Sequence, residues 1–506
     1  MYRDLIGVAC LAVSVLILSY VLLDAGVLHV SALGMALSDQ VGYLQMARNF
    51  AENGNLESGV IYPSTLNQEA SRSYLYMPGY YVFLGLSMKL FGGEAILLPG
   101  YLSFVAAALC LYLIGSRLYR RAVGLIAAVL FCLFPSHVIF ANTVMSEVPF
   151  LAATLLAFCL FVYTPEKYKF YAPPLLLALP FVFRETGALL VIPMMLMLVD
   201  WKNSQYALKM CGTLLASIMV LVLIYSLDFS SGRPSLLAPT LLSGGFSAIY
   251  SDAFWMPPLD LSWMDYSRFM MINLTQNVGQ MAKGIQNDFL TFEVLTLVMT
   301  FSLAVMLMMH PILLKKWDPL LVGVILMLAA TLALILTLYT MMDFRGVRHL
   351  MFIAPFLILG ATGVLYQLRV HKFALVAALL MVLAFGTFAM NEVSKNFSYT
   401  ASQDERLIRL FEAIGHDDKR MLVANVNLAL PYAAKHNTKW AFVPSNTETL
   451  KLLGERYNIG TFAVAAAPED SPELVHALGQ IGLRYKGILK NPLNSSISGL
   501  HIYQGD

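Results

Sequence analysis

The polar residues of this chain that could do chemistry sit at the ends of long apolar runs, and they divide into acids and cations. Ser38-Asp39-Gln40 opens a helical pattern that continues to about Asn53. Val41, Leu44, Ala47 and Phe50 share one face, Gln40, Gln45, Arg48 and Glu52 lie elsewhere, and Gly54 ends the pattern. A carboxylate at the start of such an interfacial helix, on its watery side, is a candidate general base; capping the helix N-terminus is its plainer role. Glu147, in Asn142-Thr143-Val144-Met145-Ser146-Glu147-Val148-Pro149, is the only acid between Arg121 and Glu166. It either caps a helix or points into a polar cavity, toward sugar hydroxyls, a basic partner or a divalent cation. Arg184-Glu185-Thr186 interrupts two apolar runs joined by almost no loop, so Arg184 either pairs with Glu185 or faces a ligand. Asp343-Phe344-Arg345-Gly346-Val347-Arg348-His349 carries Arg345, Arg348 and His349, which either snorkel to lipid headgroups or grip a phosphate in bidentate fashion. A base with cations of this kind suits one reaction type, in which a hydroxyl loses its proton as a phosphate departs.

These residues are positioned by a membrane-embedded frame. Of the 506 residues, 58% are apolar and 13% charged, and mean hydropathy is +0.68. A soluble globular protein has roughly 45–50% apolar and about 25% charged residues, so an integral membrane protein is expected. The formal net charge of +2 comes with no long basic stripe, which argues against nucleic acid as a partner. All 5 cysteines, Cys10, Cys110, Cys132, Cys159 and Cys211, fall in apolar runs, where they suggest packing and not a disulfide framework or a zinc site.

At about 20 apolar residues per crossing, the sequence predicts about eleven transmembrane helices. They lie near 5–28, 96–118, 121–140, 147–163, 170–183, 185–200, 207–228, 289–314, 319–342, 350–368 and 373–391. The apolar stretch 77–91 is excluded, since at ~1.5 Å per residue it reaches only ~22 Å of a ~30 Å hydrocarbon core. Pro78 starts it and Gly92-Gly93 stops it, so it reads as a complete juxtamembrane helix. Tyr74, Tyr76, Tyr80, Tyr81 and Lys89 decorate this helix as interfacial anchors or as the lining of a lipid or sugar cleft.

Excluding that stretch puts every basic loop on one side. Arg117, Arg120 and Arg121, Lys167 and Lys169, Lys202 and Lys209, Lys315 and Lys316, and Arg369 and Lys372 all become cytoplasmic, as does the N-terminus. The run near 5–28 is too long for a cleaved signal peptide and reads as an uncleaved span. The candidate residues then gather on the extracytoplasmic side, with a first outer loop 29–95, a large outer loop 229–288 and the C-terminus. Residues 1–395 form the expected membrane domain. Residues 396–506 have soluble composition, and helical patterns there alternate with short apolar runs such as 421–423, 440–443, 461–464 and 501–503. A small extracytoplasmic α/β domain for acceptor docking or stability is expected there.

On these residues the chain resembles the GT-C superfamily of polyprenyl-phosphate-sugar glycosyltransferases, the group of protein O-mannosyltransferases and the lipid A aminoarabinose transferase. Ser38-Asp39-Gln40 with Tyr43 and Ala47 is similar to the acidic motif of the family's first outer loop, whose acid is the catalytic base. Tyr76-Met77-Pro78-Gly79-Tyr80 resembles its Pro-containing juxtamembrane segment, and Ser146-Glu147-Val148-Pro149 the acid of its second outer loop. Arg184, and Arg345 to His349, resemble later basic positions. Ser38 stands where many relatives carry a second acid, and Met77 where aminoarabinose transferases carry a Lys, which argues against lipid A aminoarabinose transfer.

The resemblance implies a multi-pass transferase of the plasma (bacterial inner) membrane. It would move a hexose or pentose from a polyprenyl-phosphate donor to an extracytoplasmic glycan, lipid or protein by inverting displacement. Asp39 would be the base, and Glu147, Arg184, Arg345, Arg348, His349, Tyr43, Tyr76, Tyr80 and Lys89 would bind substrate. No cofactor is expected, although some branches of the family use Mg²⁺ or Mn²⁺. Two other classes compete. An O-antigen polymerase or ligase would use a diphosphate-linked oligosaccharide and an outer Arg and His. A flippase or transporter would show broken helices in paired halves, to which the long first outer loop and soluble tail are poorly suited.

Overall fold

The computed structural model of the chain describes residues 2–23, 37–54, 60–61, 77–93, 95–198, 204–229, 319–338, 351–367, 405–406, 408–424, 432–433, 435–444, 447–464, 468–490 and 499–505. The expected spans at 289–314 and 373–391, the outer loop 229–288, and Tyr76, Arg345, Arg348 and His349 lie outside them.

The helical body contains α1 (Tyr2–Leu23), α2 (Leu37–Asn53), α3 (Pro78–Phe91), α4 (Leu98–Leu118), α5 (Arg121–Cys132), α6 (Pro135–Ala141) and α7 (Glu147–Tyr163). It continues with α8 (Ala172–Leu176), α9 (Ala178–Phe181), a 3₁₀ turn Glu185–Leu190, α10 (Val191–Leu198), α11 (Ser204–Phe229), α12 (Pro319–Leu338) and α13 (Ala354–Gln367). Prolines account for most departures from unbroken spans. Pro135 follows Phe134 in extended conformation and divides the run 121–140 into α5 and α6. Pro173, Pro174 and Pro180 leave the run 170–183 as the short α8 and α9. Two described stretches, Tyr2–Tyr20 and Ala95–Leu118, are long and apolar enough to cross a membrane by length and composition. Leu102, Leu156, Leu160, Leu215, Met219 and Ile17 stay exposed on the outer faces of their helices, the pattern of a bundle whose solvent is lipid.

Helix α4 is central and packs on α1, α5 and α7 around Phe104, Leu111, Phe131, Leu151 and Phe158. Gly115 and Gly124 let α4 and α5 touch backbone to backbone, since a Cβ on Gly115 would lie 2.6 Å from the Gly124 Cα. The bundle has two distinct polar ends. At one, Arg121 Nη2 donates to Asp4 Oδ1 at 2.6 Å, with Arg121 Nε also on Asp4, and the Tyr112 hydroxyl donates to Asp4 at 2.8 Å. Arg117 lies over the Tyr163 ring and Arg120 over the Tyr366 ring at the same end. At the other end Asn142 ties three helices, accepting from the Tyr101 hydroxyl at 2.9 Å and donating to Ser19 Oγ at 2.9 Å and the Val138 carbonyl at 2.8 Å. The cluster of Arg117, Arg120 and Arg121 therefore sits at the end of the bundle away from Asn142.

Residues 421–505 contribute β2 (Met421–Ala424), β3 (Trp440–Phe442), β4 (Ile459–Val464), β5 (Leu483–Lys490) and β6 (Gly499–Gly505). Helices α14 (Thr447–Arg456) and α15 (Pro472–Gln480) pack on them. With β1 (Val60–Ile61) at one edge, the sheet order is β1-β3-β2-β4-β6-β5, parallel as far as β4 and antiparallel beyond it. Its core of Val423, Ala441, Leu450, Leu453, Phe462 and Leu478 makes an α/β layer. The edge strand β1 is Val60–Ile61, from the first outer segment, paired with Trp440 and Ala441.

That pairing changes the expected setting of α2. Residues 40–47 are buried around the whole helix, so α2 is not interfacial as its sequence pattern predicts. Helix α3 covers its apolar face, and Gln45 Nε2 donates to the Thr438 carbonyl at 2.8 Å on the polar side, just before β3. At Gln45 the face that would meet water meets another part of the chain, while Glu52 stays exposed.

An exposed cluster in this part sets a pH dependence. Glu412 accepts from Lys435 Nζ at 2.9 Å and contacts His436 Nε2 at 3.2 Å. The Lys435 hydrogen bond, chiefly, holds its carboxyl below the ordinary 4.5. A lowered carboxylate pKa stabilises the fold above the unfolded value and loses that contribution as pH falls through the folded value. Glu412→Gln is therefore expected to melt below wild type at neutral pH, with the two curves converging as pH falls through the lowered folded value, as thermal unfolding across a pH series would read.

Candidate functional site

Helix α3 starts where it does because Pro78 presets the first turn and lacks the N–H that no helix partner would take. Gly79 follows because the backbone of residue 182 lies against it. The Gly79 N–H donates to the Val182 carbonyl at 2.7 Å, and a Cβ there would lie 2.6 Å from that oxygen. Helix propensity alone favours Gly79→Ala by about 1 kcal/mol, but forcing two backbones apart costs about 1–3 kcal/mol. We expect Gly79→Ala to lower the melting temperature and to reduce activity with it, since Arg184 lies just beyond the displaced strand of chain.

Arg184 is extended, between α9 and the 3₁₀ turn, and its side chain runs to the start of α7. Nη2 donates to Glu147 Oε1 at 2.6 Å, Nε donates to Ser146 Oγ at 2.9 Å, and the guanidinium lies 6.0 Å over the Phe150 ring. The Glu147 side chain is 1% exposed and that of Arg184 13%, so this is a buried pair and not a surface one. Ser146 occupies the N-cap position of α7 but makes no cap bond; its hydroxyl instead also accepts from the Tyr43 hydroxyl at 3.0 Å. Tyr43 belongs to α2 and meets the Tyr80 ring of α3 edge-on at 4.8 Å. The Tyr80 hydroxyl is fully buried, and burial first, then Tyr43 and Glu147, raise its pKa well above 10.0.

The structure thus brings together Tyr43, Tyr80, Glu147 and Arg184, from sequence positions far apart. Asp39 is placed by the backbone of α2, one turn before Tyr43, so the two positions share a helix face. Lys89 is not brought to the cluster: it is exposed in the last turn of α3. Tyr76, Arg345, Arg348 and His349 are outside the described residues, but the chain re-enters at Met351, and Phe352 packs on Phe150 at 5.2 Å, one turn along α7 from Glu147. Ser146 and Phe150 were missed in the sequence reading. Ser146 stands beside Glu147 in Ser146-Glu147-Val148-Pro149, where the acid draws the attention, and Phe150 reads as one more apolar residue.

Among the described residues no group of three His, Cys, Asp or Glu side chains is disposed to hold a metal ion. Residues 77–227 match the family model of dolichyl-phosphate-mannose-protein mannosyltransferase. A search of curated proteins finds no match to the chain. The oligosaccharyltransferase of Archaeoglobus fulgidus, solved with Zn and sulfate, superposes at a TM-score of 0.54 and 12% identity over 99% of this chain and 73% of that one. The fold is that of the GT-C glycosyltransferases. The apo form of the same archaeal enzyme gives 0.50 and 10% identity over 89% of this chain and 69% of that one. ArnT of Cupriavidus metallidurans, solved with undecaprenyl phosphate, gives 0.44 and 11% identity over 98% and 97%, below the level at which a shared fold follows. Within a GT-C fold, a polytopic helical membrane architecture, the matched stretch 77–227 contains α3, α7 and Arg184, and so three of the four clustered side chains.

Proposed function

We propose that this chain is a membrane glycosyltransferase that moves a monosaccharide from a polyprenyl-phosphate donor to an extracytoplasmic acceptor. The observation that carries the reading is the buried assembly of Glu147, Arg184, Ser146, Tyr43 and Tyr80 around the helix that bears Asp39. Burying an acid, an arginine and two phenols together is costly unless they meet a polar ligand or one another. In this reading Asp39 takes the proton of an acceptor hydroxyl, whose oxygen attacks the anomeric carbon with inversion. The bond from that carbon to the phosphate oxygen breaks, and Arg345 and Arg348 hold the departing lipid phosphate.

We place the basic end of the bundle in the cytoplasm and the cluster outside, in about eleven spans, and we read 396–506 as an extracytoplasmic domain docked over α2. The matched family and the archaeal neighbour favour lipid-linked sugar chemistry over a flippase. Zinc accompanies the archaeal enzyme, whereas here the Arg184 guanidinium holds the Glu147 carboxylate, which leaves that acid less available to a divalent cation. Purified protein in liposomes with radiolabelled polyprenyl-phosphate hexoses, and mass spectrometry of envelope glycans with and without the gene, test the reading. Transfer that persists in EDTA and inverts the anomeric centre is expected; absence of any gene-dependent sugar would end it.

A further inference from the structure

Among the described residues, the buried side-chain donors Tyr80 Oη and Gln40 Nε2 have no hydrogen-bond partner, in residues that are 0% and 3% exposed. An unmade hydrogen bond in such a place forfeits the desolvation of the group, which proteins seldom leave uncompensated. Tyr43 lies next to one in space and one helical turn from the other in sequence. Tyr80 meets the Tyr43 ring at 4.8 Å, and Gln40 lies three residues before Tyr43, on the same side of α2 and next to Asp39. Both are donors, one a phenol and the other an amide, and they stand beside the position assigned to the base. Tyr81, the neighbouring buried tyrosine, packs in the same core, whereas Tyr80 faces Tyr43 and Glu147.

We infer that Gln40 and Tyr80 are the hydroxyl-reading pair of the site: their orphaned donors are satisfied by ring hydroxyls of the transferred sugar and set which monosaccharide is accepted. This inference rests on the proposed transferase reading and deepens it. A site built to hydrogen-bond a substrate hydroxyl rejects an analogue that lacks it, because the protein group is then left buried and unpaired. The selectivity therefore resides in two residues with no part in proton transfer.

The test uses the full chain in liposomes, with polyprenyl-phosphate mannose, glucose and galactose and the monodeoxy analogues of whichever is used. Tyr80→Phe removes only the hydroxyl, and Gln40→Met keeps length without the amide. Each is expected to melt no lower than wild type, to lose about 10-fold in kcat/KM for the preferred donor, and to lose about the same factor of discrimination against one monodeoxy donor. Variants that keep wild-type turnover and selectivity, while Asp39→Asn is inactive, overturn this inference alone. A melting temperature several degrees lower would mean the two atoms are bonded in the resting protein, which also overturns it. Undiminished transfer by Asp39→Asn, or no transfer by wild type from any of the three donors, removes the underlying reading as well.

Discussion

Asp39→Asn is expected to lower the turnover of the liposome-reconstituted protein by about 10²–10⁴-fold, the usual worth of a positioned general base. The amide keeps the shape and the helix-capping capacity of the carboxylate but cannot take a proton at neutral pH. The two roles of Asp39 thus separate in one variant. If the residue is a base, melting and donor binding are unchanged while the chemical step is lost. If it merely caps α2, Asn serves as well as Asp and turnover stays near wild type. Single-turnover kinetics with prebound donor distinguishes these cases directly, because it reads the chemical step without product release. A flippase or a ligase that relies on outer Arg and His would be indifferent to the change.

Arg184→Met should be the most damaging substitution to the fold of the site. Its partner Glu147 is 1% exposed at the side chain, and removing one member of a buried ion pair costs about 3–5 kcal/mol because the other charge is left without compensation. The Ser146 bond and the stacking on Phe150 go with it. Glu147→Gln should cost less, since a neutral amide can still accept from the guanidinium. The double variant Glu147→Gln with Arg184→Met removes both charges, and its melting temperature is expected to lie above that of Arg184→Met alone. Activity should not return, because the cluster that holds α2 against α7 through Tyr43 and Ser146 has lost its centre. Thermal unfolding of the four proteins gives the coupling energy. Additive effects would mean that the pair is not the unit described here, and near-wild-type turnover in Arg184→Met would remove Arg184 from the site.

How much of this was legible beforehand can be judged residue by residue. The apolar runs are long enough, and their basic loops one-sided enough, that membrane residence and helical content follow from composition and period alone. Helix boundaries marked by local signals also read directly: Pro78 to Gly92, Arg121 onward, and Glu147 to Tyr163 carry their own start and stop residues. The apolar runs of the tail at 421–423, 440–443, 461–464 and 501–503 fall within β2, β3, β4 and β6, apart from the last residue of the second. These features depend on neighbours a few residues away, which a sequence displays.

The partner of each polar group is different, because it is set by which distant segments touch. Arg184 has Glu185 beside it in the chain, yet tertiary packing carries its side chain to Glu147 and Ser146, from which it is separated in sequence by α7, α8 and α9. The polar face of α2 reads as water-facing, yet Gln45 bonds to the Thr438 carbonyl and β1 enters a sheet built almost 400 residues later. Tyr80 and Tyr81 are equivalent by type and neighbourhood, and only the fold sets Tyr80 against Tyr43. Residue type and local period therefore determined that this protein is a helical membrane protein with candidate acids and cations at its polar ends. Long-range packing, which no local period encodes, decided which of them share one site.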